Sequence, residues 1–159
     1  LLAAAPAHAL ASSHAGSPSP SIYEPTAPPT VDTISLPTML TEAAYRNNVP
    51  ARLLHGIVMV ESHYHCGARN GGSLGIGQVK PATARAVGVT GNLLDCRTGL
   101  EAAARYLRLT LDRAGGDWTG AATLYNQGVA ATPRRSAYSN KVMRFAMEDN
   151  DGRLRTVSK

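Results

Sequence analysis

The stretch from Leu100 to Gly116 limits what this chain can fold into more than any other. Leu100, Ala103, Ala104, Leu107, Leu111 and Ala114 recur at three- and four-residue intervals, with Glu101, Arg105, Arg108 and Asp112 opposite them and Gly115-Gly116 ending the pattern. Apolar residues at that spacing form one stripe along a helix, and a stripe this long has to be covered by other elements. The remaining periodic segments also read as helical. Leu36, Leu40, Ala43 and Ala44 make a first stripe, and Leu54, Ile57 and Glu61 share a face in the run opened by Val49-Pro50. Lys80-Pro81 starts a short helix through Val87 that Gly88 terminates. Asp117 reads as the N-cap of a helix carrying Trp118, Ala121, Ala122 and Tyr125 on one face and ending at Gly128. Tyr138, Val142, Phe145 and Ala146 make the last stripe. No segment alternates as a half-buried strand would. The expected class is all-α, a single compact helical domain with little or no sheet, in which small Ala positions let helices approach closely and irregular loops form a cleft.

Outside these segments the composition changes. Residues 12–32 are dominated by Ser, Pro, Ala and Thr, with Pro18, Pro20, Pro25, Pro28 and Pro29, and read as an extended linker. Residues 1–11 resemble the end of a secretory signal without its basic start, with Ala9-Leu10-Ala11 as a small-x-small cleavage site. Asn150-Asp151-Gly152 marks a stop, which leaves 33–150 as the folded unit and 151–159 as a polar tail. No apolar run is long enough to span a bilayer. The expected location is therefore exported, periplasmic or at the cell envelope. In such a compartment Cys66 and Cys96, the only cysteines, are readily a disulfide. Bridging them closes a loop worth about 3–4 kcal/mol on the chain-entropy model and tethers the segment that follows Glu61.

The net charge of +5 and pI near 9.6 point to an anionic partner: nucleic acid, acidic lipid or a carboxylate-bearing cell wall. The basic residues are scattered. The nearest approach to a patch, Arg134, Arg135, Lys141 and Arg144, has no interleaved aromatics on which bases could stack, which argues against nucleic acid. No metal is expected either, because Glu61, His63, His65 and Cys66 match no zinc spacing.

Glu61 is the residue with the clearest chemical potential. It closes an apolar helical run on the face that should point inward. Loss of water and the negative end of the helix dipole both favour its protonated form. A carboxylic acid kept neutral near pH 7 can donate a proton to a leaving group; the plainer alternative is a helix-end Glu paired with a surface Arg. The next informative stretch is the loop His63 to Gly77, crowded with Gly67, Gly71, Gly72, Gly75 and Gly77. It lacks the Lys-Ser/Thr ending of a phosphate loop and the spacing of a dinucleotide fingerprint, so no nucleotide cofactor is implied.

In order, Glu61-Ser62, the segment Gly75-Ile76-Gly77-Gln78-Val79-Lys80-Pro81-Ala82-Thr83-Ala84, then Ala122-Thr123-Leu124-Tyr125-Asn126-Gln127-Gly128, and finally Tyr138 resemble the successive motifs of soluble-type lytic transglycosylases. The resemblance spans roughly residues 33–148. It implies a lysozyme-like, mostly helical fold related to goose-type lysozyme, no cofactor, and peptidoglycan glycan strands as the partner. It also implies Glu61 as the sole acid/base and Gln78 as a sugar-binding cleft residue. Tyr125 would hold its hydroxyl near Glu61, Asn126 would shape the cleft, and Tyr138 would line the same groove, although both tyrosines also lie on apolar stripes where core packing would suffice. Two departures stand out. The usual Gly-Leu-Met-Gln is here Gly-Ile-Gly-Gln, so Gly77 removes a side chain expected to line the groove. The family serine ahead of that motif has no clear counterpart, and Ser73 stands nearest its place.

Retaining and inverting glycosidases use two carboxylates. After Glu61 the next acids are Asp95 and Glu101, neither in a motif. One acid suffices if the substrate supplies the second group, giving a 1,6-anhydro product without water. The alternatives are a lysozyme-like muramidase on the same fold and a non-catalytic wall-binding or secretion-assembly protein. A lone small domain suits local wall opening for a secretion apparatus or similar envelope-spanning machine.

Overall fold

The computed structural model describes residues 34–148, so the signal remnant, the linker and the polar tail lie outside the described residues. Side chains at the loop ends set where the helices begin. Ser35 accepts from the Thr38 amide at 3.3 Å ahead of α1 (Leu36–Arg46), and α2 (Ala51–Ser62) follows with Pro50 at its N-cap. Lys80 and Pro81 start α3 (Pro81–Ala86). Asp95 accepts from the Thr98 amide at 2.9 Å and opens α4 (Cys96–Arg113), one turn earlier than the Leu100 stripe indicates. Asp117 is the N-cap of α5 (Trp118–Gln127), accepting from the Gly120 amide at 2.6 Å. Ser136 and Ser139 exchange side chain-to-backbone bonds in a capping box at the start of α6 (Ala137–Met147). The side chains of Ser35, Asp95, Asp117 and Ser136 satisfy amides that a helix start leaves without partners, while Pro50 and Lys80 make no such bond.

The fold is mostly helical as expected, with one small addition. β1 (Arg69–Asn70) and β2 (Ser73–Leu74) pair antiparallel, Arg69 opposite Leu74 and Asn70 opposite Ser73. The turn between them is Gly71-Gly72 at φ +53° and +82°, the two consecutive positive values a tight hairpin favours. Two-residue strands are too short to show alternation in a sequence.

Leu100, Ala103, Ala104, Leu107 and Leu111 of α4 are all buried, and Ala102 is buried too, so more than one side of this helix is covered. It packs on α1 and α5, while α2 packs on α6. That second packing passes through Gly56. A methyl group there would lie 2.5 Å from the Val142 carbonyl oxygen and 3.2 Å from the Ala146 methyl of α6. The missing side chain lets two helix backbones nearly touch. The disulfide Cys66–Cys96, with Cα atoms 5.0 Å apart, joins the turn after α2 to the first residue of α4.

Gly56→Ala would gain up to about 1 kcal/mol of helix propensity. It would also force a methyl against a backbone carbonyl that cannot rotate aside, and overpacking of this kind costs about 1–3 kcal/mol. The expected net result is a lower thermal midpoint in calorimetry, and an unchanged or raised midpoint would refute the close crossing. Replacing both Cys66 and Cys96 by Ser is expected to cost about 3–4 kcal/mol in denaturant titration.

Candidate active site

Glu61 lies in the last turn of α2, and the residues after it turn the chain sharply. His63 and Tyr64 both take left-handed conformations, φ +50° and +65°. Ser62 donates from its hydroxyl to the Ile76 carbonyl at 2.7 Å, so the residue beside Glu61 latches the glycine-rich loop to the helix end. The loop is held from inside as well. Gln78, itself at φ +48°, donates from Nε2 to the carbonyls of Ala68 at 3.1 Å and Gly75 at 2.8 Å. At Gly75, φ +76°, a methyl would fall 1.9 Å from the Leu93 carbonyl oxygen, so only glycine fits.

The Tyr138 hydroxyl, near the start of α6, donates to Glu61 Oε1 at 2.5 Å. Two influences act on the carboxyl. Burial, the larger, pushes its pKa above the ordinary value, while the Tyr138 hydrogen bond favours the ionised form and pulls it down. Tyr138 and Tyr125 are both held well above the ordinary phenol value, by burial first and then by the Glu61 charge. Both therefore stay hydroxyl donors at neutral pH. With Oε1 accepting from Tyr138, the other carboxyl oxygen is the one left to carry an acid proton.

A cleft of about 260 Å³ opens beside this group, and Glu61, Ser73, Gln78, Tyr125 and Asn126 all line it. Tyr138 is not among these residues and meets Glu61 from α6. Tyr125 shares the cleft with Glu61 and lies close enough for the Glu61 charge to act on it, but its hydroxyl bonds elsewhere. Its hydroxyl donates to the Gly77 carbonyl at 2.9 Å, fixing the loop, and the phenol bonded to Glu61 is that of Tyr138. Gly77 does not widen the groove. A methyl on it would lie 2.4 Å from the Ala103 methyl and 3.0 Å from the Tyr125 hydroxyl, so the space belongs to α4 and α5.

Sequence reasoning assigned no role to Tyr106, Lys80, Thr83 or Gln127, which also line the cleft. Tyr106 reaches in from α4, its ring tilted at 51° to that of Tyr125 with centroids 4.8 Å apart. Its position off the Leu100 stripe, among charged residues, was the available signal.

The other acids between residues 34 and 148 are occupied elsewhere. Asp95 and Asp117 cap helices. Glu42 pairs with Arg97, Glu101 with Arg46 and Arg105, and Asp112 with Arg108. Glu148 closes α6. Among the described residues, no three His, Cys, Asp or Glu side chains converge as a metal site needs.

The solved structures that share this fold include two lytic transglycosylases. One is an inactive mutant of the lytic transglycosylase Slt from Pseudomonas aeruginosa, with TM-score 0.62, 19% identity, and coverage of 69% of this chain and 23% of that one. The other is the 70 kDa soluble lytic transglycosylase from Escherichia coli, with TM-score 0.53, 18% identity, and coverage of 67% of this chain and 18% of that one. The chain thus spans less than a quarter of the length of either protein. The family model described as the transglycosylase SLT domain matches residues 38–146, which takes in α2, the glycine-rich loop, the cleft and nearly all of α6. On that match, over most of its length, the chain belongs to the transglycosylase SLT domain family.

Proposed function

We propose that this protein is a peptidoglycan lytic transglycosylase whose catalytic domain is residues 33–150 and whose single acid/base is Glu61. The observation that carries this reading is that, among the described residues, Glu61 is the only carboxyl lining the cleft, while every other acid caps a helix, pairs with an arginine or lies at the end of α6. Two-carboxylate glycoside hydrolysis needs a partner across the bond. Here the substrate supplies it.

In this mechanism Glu61 protonates the oxygen leaving the anomeric carbon of N-acetylmuramic acid, and the acetamido oxygen of the same sugar stabilises the positive charge that develops. Glu61, now ionised, takes the proton of that sugar's 6-hydroxyl, which attacks the anomeric carbon to close a 1,6-anhydro ring. The proton taken up at the end replaces the one given at the start. The Tyr138 hydroxyl remains on Oε1 through both steps, stabilising the carboxylate formed midway. Gln78 and Asn126 bind sugar from the cleft wall, with Ser73 on the second strand of the hairpin. The Gln78 amide nitrogen is engaged by the loop, so its carbonyl oxygen is the atom that meets a sugar hydroxyl.

The disulfide fits an oxidising compartment, and no helix among the described residues is long and apolar enough to cross a membrane. Both accord with export to the cell envelope. Nothing among the described residues points to a secretion apparatus as partner, and the proposal is confined to the glycan.

Purified peptidoglycan incubated with the protein should release anhydro-muropeptides by mass spectrometry. Glu61→Gln should cut that release by at least ~100-fold while leaving the thermal midpoint within a few degrees. Reducing-end products would mean hydrolysis instead. The acid form of Glu61 starts the reaction, so the rate should fall as pH rises through its pKa, and burial places that limb above the range of an exposed Glu. Tyr138→Phe removes the bond that favours the carboxylate, so the alkaline limb should move to higher pH while the maximal rate drops. A limb that stays in place would separate Tyr138 from the titration of Glu61.

A further inference from the structure

Lys80 stands in the cleft wall without a task in the mechanism above. It occupies the point where the glycine-rich loop becomes α3, with extended backbone (φ −71°, ψ 141°) ahead of Pro81. It is exposed, and it lines the same cleft as Glu61, Gln78 and Thr83. The arginines that meet acids in this domain, Arg46, Arg97, Arg105 and Arg108, all do so on other faces. Among the described residues Lys80 forms no ion pair. Among the described residues the charged lining of the cleft is therefore one cation, Lys80, and one carboxyl, Glu61, which burial biases toward neutrality. A groove so arranged attracts an anionic group.

We propose that Lys80 binds a carboxylate carried by the muramic acid side chain of the glycan and makes the protein prefer strands that bear one. This rests on the glycan-cleaving reading of the cleft. N-acetylglucosamine is uncharged, whereas the lactyl group of muramic acid ends in a carboxyl. That carboxyl is ionised when bare, and when it is joined to a peptide the stem contributes carboxylates of its own. Both sources present the same chemistry to an ammonium. A lysine suits the task because a compact charge on a flexible stem can follow a mobile carboxylate, where a guanidinium would demand a fixed fork. Thr83, three residues further along the same wall, adds a hydroxyl that can donate to the same group.

The test compares wild type, Lys80→Met and Lys80→Arg on three substrates. These are peptide-bearing glycan strands, strands stripped of peptide to free the lactyl carboxylate, and peptide-bearing strands whose carboxylates have been amidated. Lys80→Met should raise KM about two- to fivefold on strands bearing the recognised carboxylate, the size expected of a solvent-accessible ion pair, with the effect falling on KM and not kcat. The gap between Lys80→Met and wild type should close on amidated strands, and Lys80→Arg should keep most of the affinity. A KM effect confined to peptide-bearing strands identifies a stem carboxylate, and one on stripped strands identifies the lactyl carboxylate. Equal KM for wild type and Lys80→Met on all three substrates overturns the proposal, as does a loss that persists undiminished after amidation. If wild type releases no product at all, the catalytic reading fails. In that case the dissociation constants of Glu61→Gln, with and without Lys80→Met, for the same three strands decide the role of Lys80 alone.

Discussion

The contact on which the rest of this structure depends is the backbone approach of α2 to α6 at Gly56. Two helices can come this close only where one of them carries no side chain at the crossing, and here Gly56 faces the carbonyl of Val142 and the methyl of Ala146. The consequence is felt one and a half turns away. Glu61 lies five residues beyond Gly56 on α2, and Tyr138 four residues before Val142 on α6, so the helix spacing sets the reach of a phenol to a carboxyl. A wider crossing would leave the acid without its partner even if every residue of the cleft stayed in place.

The environment of Glu61 is a balance and not a single bias. A carboxyl pushed far toward neutrality by burial gives up its proton poorly, and one bound by strong donors holds it poorly. Here burial and one phenolic hydrogen bond act in opposite directions, and burial is the stronger. The mechanism proposed for Glu61 asks it first to give a proton and later to take one, and such an intermediate setting suits both steps. The glycine-rich loop has a complementary role. Ser62, Gln78 and Tyr125 all spend hydrogen bonds on its carbonyls, so a segment rich in glycine is held by side chains from three directions.

The helical pattern was legible because each stripe is long and ends in a readable signal: Asp117 before α5, Gly128 after it, Gly115-Gly116 after α4. The true start of α4 was not, because Cys96 to Gly99 carries no apolar stripe and only the Asp95 cap marks it. Glu61 could be singled out from its place in an apolar run. The division of labour between Tyr125 and Tyr138 could not, since both sit on apolar stripes and only the relative placement of α5 and α6 decides which hydroxyl meets the acid. Gly77 was misread for a related reason. Its neighbours in the chain suggested a groove position, while its neighbours in space are Ala103 and Tyr125. Gly56 gave no signal at all, because a helical glycine looks like a weakness until its packing partner is known.

The Cys66–Cys96 bond makes the segment between them a closed covalent ring, and that ring carries Ser73, Gln78, Val79, Lys80 and Thr83, five residues along the cleft. Connectivity through the ring no longer depends on any one peptide bond. A single proteolytic cut between residues 67 and 95 would leave both new ends attached to the body of the domain, one through Cys66 and the other through Cys96. One wall of this cleft is thus built so that a nick there does not separate it from the rest.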